Sequence, residues 1–216
     1  HYICDTIDSV LARTFRGHEI IVLDDGSNDK TREVVKKYGD RIKYFCQDNM
    51  GTPKAMNRGV ALSSGEYFAI LGDDDLWMPD LLEKQVRALD ADPDLAFVCS
   101  GVYYIDGKGE IIKRSTDGRL RETSFKSLLQ DNFVFHLTAL VRRSCFDAVN
   151  EFDENSLTTQ DYDLWLRLSK RYSFGYTDAT LAKWRMHQGN LSGKTDRHLK
   201  DHLAILSKEE IQRGMD

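Results

Sequence analysis

Several signatures that would each identify a chemistry are missing from these 216 residues. There is no Gly-x-Gly-x-x-Gly run, no Walker phosphate loop, no Cys-x-x-Cys pair and no Gly-x-Ser-x-Gly elbow. Their absence argues against nicotinamide, P-loop and serine-hydrolase chemistry. No apolar run approaches the length that a membrane-spanning helix needs, and no signal-peptide pattern is visible. Repeats and low-complexity segments are absent, and no shift in composition marks a domain boundary. Excess positive charge is lacking too. A net charge of −5 speaks against a nucleic-acid-binding surface. Cysteine is sparse: Cys4, Cys46, Cys99 and Cys145 show no metal-type spacing, so buried thiols in a reducing cytoplasm are expected rather than disulfides.

What is present is an ordinary soluble composition, 41% apolar and 30% charged, in a length that suits one domain with a substantial core. The stretch around which the chain is organised is Glu66-Tyr67-Phe68-Ala69-Ile70-Leu71-Gly72-Asp73-Asp74-Asp75-Leu76-Trp77. A short apolar run there ends abruptly in three carboxylates. Adjacent anions repel unless a cation or a proton compensates them. Carboxylate oxygens suit Mg²⁺ or Mn²⁺, ions that usually also hold a substrate phosphate. A solvated acidic turn is the plain alternative, but the run is confined between a buried strand and a helix opened by Pro79, which favours the metal reading.

Apolar runs and helical periodicity predict a helix over 5–14, strands at Glu19–Leu23 and Ile42–Cys46, and a helix after Asp29 that stops at Gly39. Further elements follow: a helix at Ala55–Leu62, the Phe68–Leu71 strand, a helix over Pro79–Leu89 and a strand at Leu95–Tyr104. A turn at Asp106–Gly109 leads to Ile111-Ile112. Then come helices at Ser124–Gln130, Ser144–Val149 and Gln160–Tyr172, strands at His136–Arg142 and Phe174–Ala182, and an amphipathic tail over Asp196–Gln212. Alternating strands and helices in the first half predict a doubly wound, mostly parallel α/β sheet. In such sheets ligands bind beyond the carboxyl ends of the strands. Asp24-Asp25 and Asp73–Asp75 both follow strands, so they are expected to share one edge.

Asp24 and Asp25 exceed what capping the next helix requires; Asp25 is suited to accept from a base N–H or a ribose hydroxyl. Asp161 reads either as a first-turn acid favoured by the helix dipole or as a general base aimed at a sugar hydroxyl. Asp163 is the neighbouring alternative, turned well round the helix. A late polar cluster holds Arg185, His187, Asn190 and Ser192. If it returns to the acidic edge, His187 would complete a metal shell and Arg185 would neutralise phosphate.

In order along the chain, the residues resemble a family-2 glycosyltransferase of the GT-A fold. The matching pieces are Ile7–Leu11 with Thr14-Phe15, Glu19–Ser27, Asn49–Gly51, Asn57-Arg58-Gly59, Gly65–Tyr67, Leu71–Asp75, Phe152-Asp153-Glu154, Asp161–Leu168 and His187-x-x-Asn190-x-Ser192. They cover about residues 5–195. The resemblance implies a nucleotide-sugar donor, with a UDP-sugar favoured, a divalent cation (Mg²⁺ or Mn²⁺), and inversion at the anomeric carbon. It implies nucleotide binding by Asp24, Asp25, Asn57, Asp73 and Asp74, with Asp25 on the base and Asp74 on the ribose or the metal. Asp75 would bind the cation together with His187, Arg185 would bind phosphate, and Asp161 would be the base. The expected layout is a single domain, with a nucleotide half over about 5–105, an acceptor half over about 106–195 and a helical tail over 196–216. The family-level expectation for the acceptor is a glycan or lipid-linked molecule at the cytoplasmic face of a membrane, with peripheral association.

Three departures stand out. Family members usually begin with a strand that helps hold the base, and residue 1 lies just after it. Gln160 stands where Glu is frequent, and Asn150-Glu151 where Gly-Gly is. They leave one competing class, a non-catalytic nucleotide- or glycan-binding module of a larger assembly. A receiver-type phosphoacceptor domain fits poorly, because it is shorter and uses a lone Asp with a later Lys.

Overall fold

The fold is built around two long strands, β5 (Leu95–Ile105) and β8 (Ser173–Arg185), which run side by side in parallel. β5 reads as a mostly apolar run because most of it is buried, and strands covered on both faces lose the polar alternation of a half-exposed one. A computed structural model provides the coordinates, describing residues 2–115, 123–156, 158–190 and 195–212. Around this pair the sheet takes the order β3 (Tyr67–Ala69), β7 (Leu140–Arg142), β5, β8, β4 (Leu76–Trp77), and β6 (Ile111–Arg114) pairs with the far part of β5. A second sheet pairs β1 (Ile21–Asp25) with β2 (Lys43–Gln47) in parallel.

The α/β class expected from the sequence holds, but the sheet is mixed, not mostly parallel. In the large sheet β5–β8 is parallel, while β3–β7, β7–β5, β8–β4 and β5–β6 are antiparallel. Parallel neighbours need a long crossover connection, and the two parallel pairs have one. Helix α2 (Thr31–Val35) lies between β1 and β2; α5 (Phe125–Gln130), α6 (Arg143–Ala148) and α7 (Gln160–Arg171) lie between β5 and β8. A buried strand looks alike in sequence whichever way its neighbour runs, so the pattern was silent on direction.

Two other expectations shift. The strand expected over His136–Arg142 opens as a 3-10 turn at His136–Thr138, and only Leu140–Arg142 pairs. There the Thr138 hydroxyl donates to the Phe135 carbonyl at 2.8 Å, which competes with extended backbone. Helix α3 (Thr52–Leu62) starts at Thr52 rather than at Ala55, with Pro53 in its first turn. Of the four thiols, Cys99 and Cys145 are buried, Cys4 is partly covered and Cys46 is exposed, so the buried-thiol expectation holds for two.

One face of the large sheet is covered by α5, α6 and α7. There Phe97 stacks on Phe174 with centroids 4.7 Å apart and meets Trp165 at 4.8 Å. The other face takes Leu81, Leu82 and Leu89 of α4 (Leu81–Ala91) together with Trp77. A smaller cluster of Ile7, Val35, Tyr38 and Ile42 joins α1 (Ile3–Leu11) to the β1–β2 pair. Phe97 sits between two rings with no exposed surface, so Phe97→Ala is expected to lower stability by about 3–5 kcal/mol, measured as a shift in the urea unfolding midpoint with an unchanged slope.

Candidate functional site

The edges of β1 and β3 that carry no partner strand face a common cavity of about 2260 Å³. Its lining runs along both strands, from residues that precede them to the acids at their carboxyl ends. Asp24, Asp25, Asp73, Asp74, Asp75, Asp161 and His187 all line it, so the two acidic groups and the candidate base share one space. Asn57 and Arg185 do not line it.

The chain leaves β1 through Gly26, whose φ of +83° suits glycine; a Cβ there would meet the Asn49 amide nitrogen at 2.8 Å. That close approach brings the Asn49–Gly51 loop under Asp25. Asp25 Oδ1 accepts from Gln47 Nε2 at 2.6 Å and from the Met50 N–H at 2.9 Å, and Oδ2 accepts from the Gly51 N–H at 2.9 Å. A carboxylate has about four acceptor sites, so Asp25 keeps capacity for a ligand. Asp24 Oδ1 accepts from the Ser27 N–H at 2.7 Å and Oδ2 from the Tyr44 hydroxyl at 2.6 Å. Burial works to raise the Asp24 pKa, yet the bonds from Tyr44 and Ser27 outweigh it and the net shift is downward. Burial and the same contact push the Tyr44 phenol up. Asp24 therefore shapes the turn as an anion.

The triple acid is stitched to α1. Thr6 Oγ1 donates to the Asp75 carbonyl at 2.9 Å, and Ser9 Oγ accepts from the Trp77 N–H at 3.2 Å. The Arg13 guanidinium lies 4.2 Å from the Trp77 ring centroid. Thr6 and Ser9, three residues apart, share one face of α1, and Arg13 lies just beyond its end. The three acids fare differently. Asp73 is exposed. Asp75 is 3% exposed and accepts from the Arg185 N–H at 2.9 Å; burial, above all, pushes its pKa up to about 7. Asp74 Oδ2 lies 2.8 Å from His187 Nε2. A Cβ on Gly72 would meet Asp74 Oδ1 at 3.0 Å and Asp75 Oδ2 at 3.4 Å, so both carboxylates crowd the turn at that glycine.

His187 reaches this edge because β8 ends beside it and Asn190 locks the turn. Asn190 Oδ1 accepts from the His187 N–H at 2.6 Å, and its amide donates to the Arg185 carbonyl at 2.9 Å. Ser192, the last member of the expected cluster, lies outside the described residues. Arg185 is engaged within the protein. It is 2% exposed, and its guanidinium donates to the carbonyls of Asp74, Asp106 and Gly107, pairs with Asp5 at 3.6 Å and lies 4.3 Å from the Tyr2 ring centroid. It braces the acidic turn from behind. Asn57 is likewise engaged inside: its amide donates to the Phe152 carbonyl and accepts from the Phe152 N–H, both at 3.0 Å. These bonds tie α3 to the chain approaching α7.

Asp161 and Asp163 both sit in the first turn of α7 but have opposite surroundings. Asp163 has no exposed surface and is held by Arg167 at 2.7 Å and by Lys208 at 2.6 Å. Asp161 faces the cavity and has no hydrogen-bond or ion-pair partner among the described residues. The sequence left the two open, and burial separates them. Sequence reasoning also missed Thr6, Tyr44, Gln47 and Lys208, whose partners are remote in the chain. No local signal marks them.

Among the described residues no group of three or more His, Cys, Asp or Glu side chains is arranged to bind a metal alone. The donor set still has the right chemistry: hard carboxylate oxygens and one imidazole beside a space for phosphate oxygens. Mg²⁺ in particular is usually held by one or two carboxylates plus substrate phosphates.

The chain is similar to known proteins in sequence and in fold. The family model for Glycosyl transferase family 2 matches residues 1–149. An uncharacterised glycosyltransferase of Rickettsia typhi is 33% identical over 215 residues, covering 96% of this chain and 67% of the relative. WfgD of Escherichia coli, a UDP-Glc:α-D-GlcNAc-diphosphoundecaprenol β-1,3-glucosyltransferase, is 28% identical over 95% of this chain and 80% of its own length. The mannosyltransferase PcManGT from Pyrobaculum calidifontis, solved with GDP-Man and Mn²⁺, superposes with a TM-score of 0.71 at 15% identity, over 99% of this chain and 65% of that one. The chain spans only 38%, 34% and 31% of three further rickettsial relatives. The fold is therefore that of the GT-A glycosyltransferases. By its sequence the chain belongs to glycosyl transferase family 2.

Proposed function

We propose that this chain is the catalytic domain of an inverting, metal-assisted glycosyltransferase that moves a sugar from a nucleoside-diphosphate donor to an acceptor hydroxyl. The observation that carries the reading is the unengaged Asp161 carboxylate, which faces the cavity also lined by both acidic groups. Asp25 receives the base, and Asp73 and Asp74 flank the ribose. Asp75 and His187, with Asp74 between them, would hold the cation. When bound, that cation supplies positive charge against the departing diphosphate.

Asp161 accepts the proton of the acceptor hydroxyl as its oxygen attacks the anomeric carbon from the side opposite the diphosphate. The new glycosidic bond forms as the bond to the diphosphate oxygen breaks, and the configuration inverts. The proton stays on Asp161 until water removes it.

Residues 5–105 make up the donor half and 106–195 the acceptor half. A UDP-sugar and a lipid-linked acceptor are favoured, since a relative with matching coverage uses both. A lipid-linked acceptor would place the site of action at the cytoplasmic face of a membrane, approached peripherally. Calorimetry with UDP should give binding that weakens at least about tenfold when Mn²⁺ is replaced by EDTA. A panel of nucleotide sugars should then reveal transfer. Metal-dependent binding with no turnover on any donor would replace this reading with a non-catalytic module.

A further inference from the structure

The tail is tied into the segment that carries Asp161. Helix α8 (Thr195–Leu206) and α9 (Glu209–Gln212) pack on the α7 side of the molecule, with Ile205 and Ile211 in the main core. Between them Lys208 Nζ donates to Asp153 Oδ2 and Asp163 Oδ1, both at 2.6 Å. Burial works against the Lys208 ammonium, but its bonds to Asp153 and Asp163 prevail and the pKa is raised. A second tie joins Thr158 Oγ1 to Asp201 Oδ2 at 2.6 Å. A third stacks His202 on Tyr162, with centroids 4.7 Å apart and planes 12° apart.

These ties fall on a segment under strain. Asn150 and Glu151 adopt φ of 62° and 59°, a region that L side chains enter at a cost. From there the chain reaches α7 through Phe152, Asp153 and Thr159. It is held by Asn57 on α3, by Arg167, which donates to the Val149 and Glu151 carbonyls, and by Lys208 from the tail. Asp163 is the shared anchor: Arg167 takes one oxygen and Lys208 the other. Loss of the ammonium would leave an oxygen of a fully buried carboxylate unpaired and release Asp153, two residues beyond the strained pair. Thr158, Gln160, Asp161 and His202 all line the cavity, so any shift of this segment moves the wall where an acceptor would sit.

We propose that Lys208 is a positioning residue, which sets the direction of Asp161 by clamping the approach loop and the first turn of α7 together. This rests on Asp161 being the base. The tail is then part of the acceptor side of the active site and not only a cover for the core. A misplacement of about 1 Å at a reacting group costs on the order of a hundredfold in rate.

The test compares Lys208→Met, Lys208→Arg and Asp161→Asn in the intact protein, with active sites counted by UDP-binding stoichiometry. Lys208→Met is expected to lower kcat per site by about 10–100-fold and raise the acceptor KM, with UDP affinity within about twofold of wild type. Lys208→Arg, which keeps the charge, is expected to recover most of the rate. A purely structural role would reduce the number of UDP-binding sites and leave kcat per site alone, and that result overturns the proposal. Wild-type kcat in Lys208→Met beside an inactive Asp161→Asn also overturns it while leaving the base intact. Wild-type turnover in Asp161→Asn removes the base, and the positioning role with it. If Lys208→Met does not fold, Asp201→Ala loosens the same segment through Thr158. It should show a smaller fall in kcat per site, and wild-type kcat there overturns the clamp.

Discussion

Asp161→Asn is expected to lower kcat for sugar transfer by about 10²–10⁴-fold while leaving the affinity for UDP within about twofold of wild type. Asparagine keeps the size and the first-turn position but has no site for the acceptor proton. Because Asp161 has no described partner, its replacement breaks no internal bond, and the unfolding midpoint should hold. The contrast is Asp163→Asn, which removes charge between Arg167 and Lys208 in a fully buried network. That variant is expected to lose about 3–5 kcal/mol of stability. Steady-state kinetics, UDP calorimetry and urea unfolding on the same preparations separate the two. Wild-type transfer by Asp161→Asn would remove the assigned base.

Asp75→Asn should separate stability from activity in the opposite sense. An acid whose pKa is about 7 when folded, against 3.8 as its ordinary value, binds its proton more tightly in the native state. The contribution of Asp75 to stability is therefore greatest below about pH 4, falls as pH rises from about 4 to 7, and stays low above that. At pH 8 without cation, the ionised Asp75 would cost roughly 4 kcal/mol relative to its protonated form. Asparagine carries no charge, and its carbonyl can still accept from the Arg185 N–H. The variant is therefore expected to be more stable than wild type at pH 8 in EDTA, to show a flatter stability profile over pH 4–7, and to lose transfer by at least about a hundredfold. Urea unfolding at pH 4.5 and pH 8 checks the first two. Parallel pH profiles for the two proteins would show that the buried carboxylate is not the source.

Much of the acidic edge was legible because it is local. Strand and acids are contiguous in Leu23–Asp25 and only a few residues apart from β3 to Asp73–Asp75, and strand polarity sends both towards the carboxyl ends. The α7 stripe of Leu164, Trp165 and Leu168 was equally local, and all three are buried. Less legible was the engagement of polar residues whose partners are far away in sequence. Arg185 and Asn57 look available to a ligand until the fold shows Arg185 filled by three backbone carbonyls and Asn57 closed on both sides of Phe152. Strand direction failed for a related reason, since pairing is a long-range property and burial erases the alternation that would hint at it.

By itself, the sequence determined the kind of fold, the two acidic strand ends and the short list of carboxylates from which a base would come. These depend on periodicity, chain polarity and side-chain chemistry, which act over a few residues. Only the tertiary structure decided that Asp161 faces the cavity while Asp163 anchors the tail, that Arg185 braces the acidic turn from behind, and that Lys208 joins the approach loop to α7. Whether a charged group serves a ligand or the fold depends on which partners arrive from distant parts of the chain, and on whether burial makes those partners compulsory.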